Sequence, residues 1–302
     1  MRQNFWDKIV QTPTRAAFFV LVLTTLIVFL ITAFWPQLSS HVLPNSALGL
    51  YNKSFWENVL VEAHGLVFDI FLIALILVWM DSLRIKKESN QRNLEGLWDL
   101  NTFNDEIYQK RKINMIKRLN ANNVYQIDVT DLSFKDTDIN ELKFIKSRLY
   151  GLKVLNCNVF GIHIEDSELN SAEFTDSTLK KGTKLLNSYL KNADFKNSTV
   201  IGVDFKNSNL FQTKFIGAKM QSADLRGCDL QNTVFEGANL KNMNIKMCKN
   251  INCDALAKAE CLDYLKADNA IIEVLRELRP DMKINLGQIE NRTLNSCERT
   301  TA

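Results

Sequence analysis

Between residues 124 and 245 an apolar side chain returns at every fifth position, a period that no ordinary secondary structure has. The first series runs Val124, Val129, Phe134, Ile139, Phe144, Leu149, Val154, Val159, Ile164, Leu169, Phe174 and Leu179. One extra residue between 180 and 184 shifts the register, and the series resumes at Leu185 and continues through Phe195, Phe205, Phe215, Leu225 and Phe235 to Ile245. All 25 positions are apolar in a chain that is 46% apolar. A helix repeats every 3.6 residues and a strand every 2, so neither gathers these side chains on one side. A coil that turns one corner per five residues does. Stacked coils would lie about 4.8 Å apart, the spacing of paired strands. Twenty-five repeats then make about six coils and a column about 30 Å long.

The position two before each central residue is small through most of the second half, as at Ser188, Ala193, Ser198, Ser208, Thr213, Ala218, Ala223, Cys228 and Ala238. Segments such as NADFK, AKMQSADLRG and EGANLKN resemble the A(D/N)LXX pentapeptide-repeat family. The resemblance covers roughly residues 124–250. It implies a right-handed quadrilateral β-helix, with four repeats per coil and the central and small residues both pointing inward. Ile127, Leu132, Leu142, Leu152 and Ile162 are too large for the small position, which predicts wider or less regular first coils. The extra residue near Gly182 predicts a bulge or loop at a corner. Cys157, Cys228, Cys248 and Cys253 fall on the small inward position and read as core. His163 falls beside an inward residue and is expected exposed.

Two apolar runs precede the repeats. Residues 16–35 form an uncharged stretch of 20, long enough to cross about 30 Å of hydrocarbon. A signal peptide is the competing reading, but the run lacks a small-x-small cleavage site. A second span covers about 59–80, after a capping box of Ser54 and Glu57. Trp35, Trp56 and Trp79 sit near span ends, where interfacial aromatics collect. The tail carries Arg2, Lys8 and Arg15, the segment after the second span Arg84, Lys86, Lys87 and Arg92, and the loop 36–58 only Lys53. The positive-inside rule places both termini in the cytoplasm, here of a bacterial inner membrane.

Glu62, His64 and Asp69 interrupt the second span. An ionised carboxylate near the midplane costs about 2.5–3.5 kcal/mol on insertion scales. Glu62 and Asp69 are seven apart and share a helical face. They read either as an ion, proton or oligomer site, or as a protonated Asp69 bonded to Thr24, Thr25 or Thr32 of the first span or to another protomer. Residues 81–123 read as a juxtamembrane helical linker and cap, with apolar Ile107, Ile113, Ile116 and Leu119. The run Arg118, Leu119, Asn120 resembles the end of the basic helix that precedes the repeats in two-span pentapeptide-repeat proteins. Lys110, Arg111, Lys112, Lys117 and Arg118 form a basic patch that either meets anionic lipid, at about 1 kcal/mol per charge, or is a solvated face. Residues 254–261 and 270–278 read as two short helices of a C-terminal cap, and 285–302 as a flexible tail.

No phosphate loop, nucleophile elbow, paired histidine or metal-ligand spacing is present, so neither an enzyme nor a cofactor is expected. The six cysteines read as reduced thiols. Net charge is +3 for the chain, and residues 124–250 hold 17 Lys and Arg against 15 Asp and Glu. That balance does not suit a DNA-mimicking binder of topoisomerase, which needs a strongly acidic surface. Expected partners are membrane lipid and a protein, either a cytoplasmic one or further copies of this chain, and no nucleic acid. Lys191, Lys196, Lys206, Lys214, Lys241 and Lys246 read as one basic face for an acidic partner. Two functions remain: a membrane-tethered scaffold, or an oligomeric membrane-perturbing effector in phage or stress defence.

Overall fold

Both apolar runs are helical in the computed structural model, which describes residues 13–42, 53–180 and 182–284. The chain divides into two units, Met1–Ser89 and Asn90–Ala302. In the first unit, α1 (Pro13–Ala33) is followed by the short α2 (Trp35–Val42), which lies inside the stretch read as a loop. Helix α3 (Lys53–Leu100) runs 48 residues without a break, so the second apolar run and the segment after it are one element. Among the described residues α3 is the one helix long and apolar enough to cross a membrane by length and composition, while Phe18–Ala33 is a shorter apolar stretch. Leu21 of α1 and Ala74 of α3 are buried. Trp35 Nε1 donates to Glu57 Oε1 at 3.4 Å.

The second unit opens with the end of α3 and with α4 (Glu106–Ala121). The five-residue period then closes into a four-sided parallel β-helix. Its early turns hold β1 (Ser133–Lys135), β2 (Asp138–Asn140), β3 (Lys143–Ile145), β4 (Lys153–Leu155), β5 (Asn158–Phe160) and β6 (His163–Glu165), followed by β7 (Thr178–Leu179) and β8 (Lys184–Leu186). Strands pair with the same side one turn later: β1 with β4, β2 with β5 and β5 with β7, β3 with β6 and β6 with β8. The fourth side is a column of bridges through Arg148, Glu168, Tyr189, Asn209, Asp229 and Lys249. Phe134 meets Val154 and Phe144 meets Ile164, a step of 20 residues. Ile164 meets Leu185, a step of 21. The extra residue sits at the corner of Gly182, whose φ of +102° a side chain would strain.

All central residues from Val129 to Ile245 are buried, and Val124 is half-buried. Phe174, Phe195, Phe215 and Phe235 stack along one side, with ring centroids 4.7, 4.9 and 5.6 Å apart. Phe205 meets Phe195 and Phe215 edge-on. From Asp131 on, the described residue two after a central one takes a left-handed conformation, which turns the corner. Asn, Asp and Gly dominate there because they tolerate positive φ at least cost.

The first coils differ from expectation. Ile127, Leu132, Leu142, Leu152 and Ile162 are buried, and the sides of these coils run as three-residue strands. After Leu186 the sides pair through single bridges. The large inward residues therefore do not disorder these coils. The far end also differs. The α5 helix (Cys253–Ala257) is only five residues long. The chain then returns to the column, Cys261 bridging Asn239 and Lys266 bridging Asn244, before α6 (Asn269–Leu278). The β-helix therefore extends past residue 250, to Lys266.

Candidate functional site

The chemistry of this molecule lies on its surfaces and at the first turn of the β-helix. A solenoid end exposes strand edges whose N–H and C=O groups need partners. Asn120, at the end of α4, supplies them with its side chain. Its Oδ1 accepts from the Lys143 backbone N–H at 2.9 Å, and its Nδ2 donates to the Lys143 carbonyl at 2.9 Å. The amide thereby imitates one residue of a neighbouring strand. Asn101 works alongside, its carbonyl accepting from Ser133 N–H at 2.9 Å and its Nδ2 donating to the Thr130 carbonyl at 3.1 Å. Ile113, Ile116, Leu119 and Leu97 join the same apolar core as the first turns. Ile107 does not. It is 78% exposed, because it stands on the opposite side of α4 from Ile113 and Ile116.

Lys112 is not part of a surface patch. It is fully buried, and its Nζ donates to the carbonyls of Phe103, at 2.9 Å, and Ser133. The ammonium lies 5.4 Å from the Phe134 ring centroid. Burial pushes its pKa down to about 8, with Cys157 acting weakly the other way. Lys110, Arg111, Lys117 and Arg118 are exposed. Lys110 is paired with Glu106 at 2.5 Å, one helical turn away. The basic patch therefore reduces to four residues, one already neutralised.

A groove of about 770 Å³ lies between α4 and the first turns, lined by Glu106, Lys110, Asp136, Asp138, Asn156 and Asn158 among others. Its polar groups answer one another: Asn156 donates to Asp136 at 2.7 Å and Asn158 to Asp138 at 2.9 Å. Nothing in it combines a nucleophile with a base. Among the described residues no group of three or more His, Cys, Asp and Glu is arranged to hold a metal ion.

In α3, Glu62 and Asp69 lie on one exposed side, and neither has a polar partner among the described residues. They lie on a different side from Phe71, Ala74, Leu75 and Val78, which share a hollow with Phe18 and Leu21 of α1. His64 does not join them. Its Nδ1 lies 2.6 Å from the Leu60 carbonyl of its own helix, and five residues place it about 140° from Asp69 around the axis. The threonines of α1 do not reach Asp69 either. Thr24, Thr25 and Thr32 donate to carbonyls of Leu21, Leu21 and Val28 in their own helix, as hydroxyls without another partner do.

Outward residues form ladders along each side of the solenoid. Asp204, Lys206, Asp224 and Arg226 make a network, with Lys206 Nζ at 2.9 and 3.4 Å from the two carboxylates and Arg226 at 2.8 Å from Asp224. Partial burial works against the Asp224 charge, yet Arg226 and Lys206 hold its carboxyl below the usual range. The six lysines read as one basic face are distributed over all four sides: Lys191 on one, Lys196 and Lys214 on the next, Lys241 on the third, Lys206 and Lys246 on the fourth. Five residues per side send every fifth lysine around a corner. His163 is half-buried and 3.1 Å from Glu165, not exposed and alone. The side of the Arg148 column carries the most aromatic residues, while Phe160, 51% exposed, stands on the side of β2, β5 and β7. The Arg148 side carries Tyr150 and Tyr189, with Lys191 over Phe211 at 5.3 Å.

Cys157 and Cys228 are buried, and Cys248, Cys253 and Cys261 half-buried, all as free thiols; Cys297 lies outside the described residues. Cys228 stands one turn above Ser208 in a column of small residues, where Ser147, Ser167, Ser188 and Ser208 accept from the backbone N–H one turn below. Burial drives the Cys228 thiol far up and the Cys248 thiol up to about 12. Cys253 opens α5 and does not occupy a rung. Sequence reasoning missed the parts played by Asn120 and Lys112, because a polar residue on a helix carries no mark of burial.

The pentapeptide repeats family matches this chain over 169–212, 188–227 and 208–246, in eight copies. The match begins after the coils with large residues at the small position. No curated protein sequence matches. Among solved structures, a pentapeptide repeat protein from the Arabidopsis thaliana thylakoid lumen is 21% identical, with a TM-score of 0.25, over 30% of this chain and 59% of its own. The chain thus spans somewhat over half the length of that relative. QnrB1, a plasmid-mediated fluoroquinolone resistance protein, is 17% identical with a TM-score of 0.23, over 52% of this chain and 90% of its own. HetL of the cyanobacterium Nostoc sp. strain PCC 7120, involved in heterocyst differentiation regulation, is 17% identical with a TM-score of 0.23, over 44% of this chain and 67% of its own. The four-sided column and the match over its regular coils make residues 169–246 similar to the pentapeptide repeats family, in the form of a four-sided β-helix.

Proposed function

We propose that this protein is a membrane-tethered scaffold that presents its β-helix to a cytoplasmic protein partner, and that it is not an enzyme. The observation that carries the reading is the aromatic side: Tyr150, Tyr189 and Phe211 project from one flat column, with Tyr189 56% exposed. Rigid exposed aromatics are the usual anchors of protein interfaces. In this reading α1 and α3 are two spans of a bacterial inner membrane, both termini are cytoplasmic, the helix is right-handed and α4 and α6 cap it. The near balance of charge over residues 124–250 argues against nucleic acid or a DNA-mimic role. The exposed Lys110, Arg111, Lys117 and Arg118 face anionic lipid. A photoreactive residue placed at 211 in living cells tests the scaffold: one adduct that disappears with Tyr189→Asp supports it. Equal cross-linking from all four sides would sink it.

A second reading rests on Glu62 and Asp69, which have no polar partner among the described residues. In it the protein is an oligomeric effector whose spans perturb the membrane in phage or stress defence. Loss of membrane potential on induction, abolished by Asp69→Leu, would favour it over the scaffold.

A further inference from the structure

Along α3, Glu62, Leu66, Asp69, Ile73, Ile76 and Met80 follow one another at alternating steps of four and three residues. That spacing keeps one side of a helix against a second helix along its whole length, through slight left-handed supercoiling. All six are exposed. The side of α3 next to Phe18 and Leu21 of α1 is a different one, running through Phe71, Ala74, Leu75 and Val78. Beside the stripe, at Gly65, an added Cβ would meet nothing within 4 Å. A glycine there lets another backbone approach closely, the feature that membrane helices use at their contacts. The two carboxylates of α3 within the apolar run both fall in this stripe, where a polar residue fixes register.

We propose that two copies of this chain pair in parallel through this seam, so that the Asp69 side chains of the two copies meet and each finds the polar partner that the described residues of its own chain do not offer. The proposal rests on the reading of α3 as a membrane span. Phe18 and Leu21 of α1 share a hollow with Phe71, Ala74, Leu75 and Val78, none of which belongs to the seam, so the seam is left to an outside helix. A second copy is the helix that brings an identical carboxyl to the same depth.

The full-length protein in native membranes tests this. Alkaline carbonate extraction comes first: release from the membrane would overturn the span reading and the seam with it. With the protein retained, a photoreactive residue is placed in turn at 66, 73 and 76 on the seam, and at 71 and 78 on the α1 side. Dimer adducts from the seam positions alone are expected. Asp69→Leu should lower their yield about fivefold, while Asp69→Asn keeps it. Adducts at 71 and 78 instead, no adducts at all, or an unchanged yield with Asp69→Leu overturns the seam and leaves the span reading standing.

Discussion

Gly227 occupies a corner with φ +72°, directly above Asn207. An added Cβ would lie 2.4 Å from Asn207 Oδ1. Gly227→Ala therefore meets both a strained backbone and a clash, and should lower unfolding free energy by about 1–3 kcal/mol in urea titration. Cys228, one residue on, behaves oppositely. Its Sγ lies 3.0 Å from the Phe205 carbonyl and continues a column of serines, so Cys228→Ser should change stability by no more than about 1 kcal/mol. Cys228→Leu should cost about 1–3 kcal/mol through overpacking. Lys112 sets a pH dependence. Its folded pKa of about 8 lies below the ordinary 10.5, so between these values the unfolded chain binds more protons and stability rises with pH. The rise is at most about 3 kcal/mol. Buried Cys228 and Cys248 act the other way above pH 9, where the unfolded chain loses thiol protons that the folded one keeps. The measurement is therefore the difference between the parent and Lys112→Met, which should grow in favour of the parent from pH 7.5 to 10. A difference that does not move with pH would show that Lys112 is not desolvated.

At the scale of elements, the phenylalanine stack is the strongest test of the column. Phe195 touches Phe174, Phe205 and Phe215, so Phe195→Ala should cost about 3–5 kcal/mol in the same titration. Deleting Gly182 should be tolerated far better than deleting Asn207. The first deletion restores the 20-residue step, while the second shifts every inward side chain above it out of the core. The column was legible because burial repeats with the chain's own period, and even the extra residue near Gly182 showed as a register shift. The corner residues were not read from the sequence, because the apolar series does not show them; the Asn and Gly two residues after Phe195, Val200, Phe205 and Phe215 carry that signal. The strand-like first coils and the turn that continues to Lys266 were not legible, since both arise from how one coil rests on the next. The division of the lysines among four sides follows from the same five-residue count. The unpartnered state of Asp69 needed coordinates, because only they show that the threonines of α1 bond within their own helix.

For the whole molecule, the balance of 17 basic against 15 acidic residues over 124–250 makes surface pairing, not net field, the dominant electrostatics. Binding by the aromatic side should therefore weaken little between about 50 and 200 mM salt, in contrast to a nucleic-acid binder, whose affinity falls by orders of magnitude over that range. One detail at the first turn bears on assembly. The Asn120 amide and the Asn101 backbone occupy the hydrogen-bonding groups through which another strand would be added. Sheet growth is thereby blocked at that end. Piling one column on another through Thr130, Ser133 and Lys143 is therefore excluded.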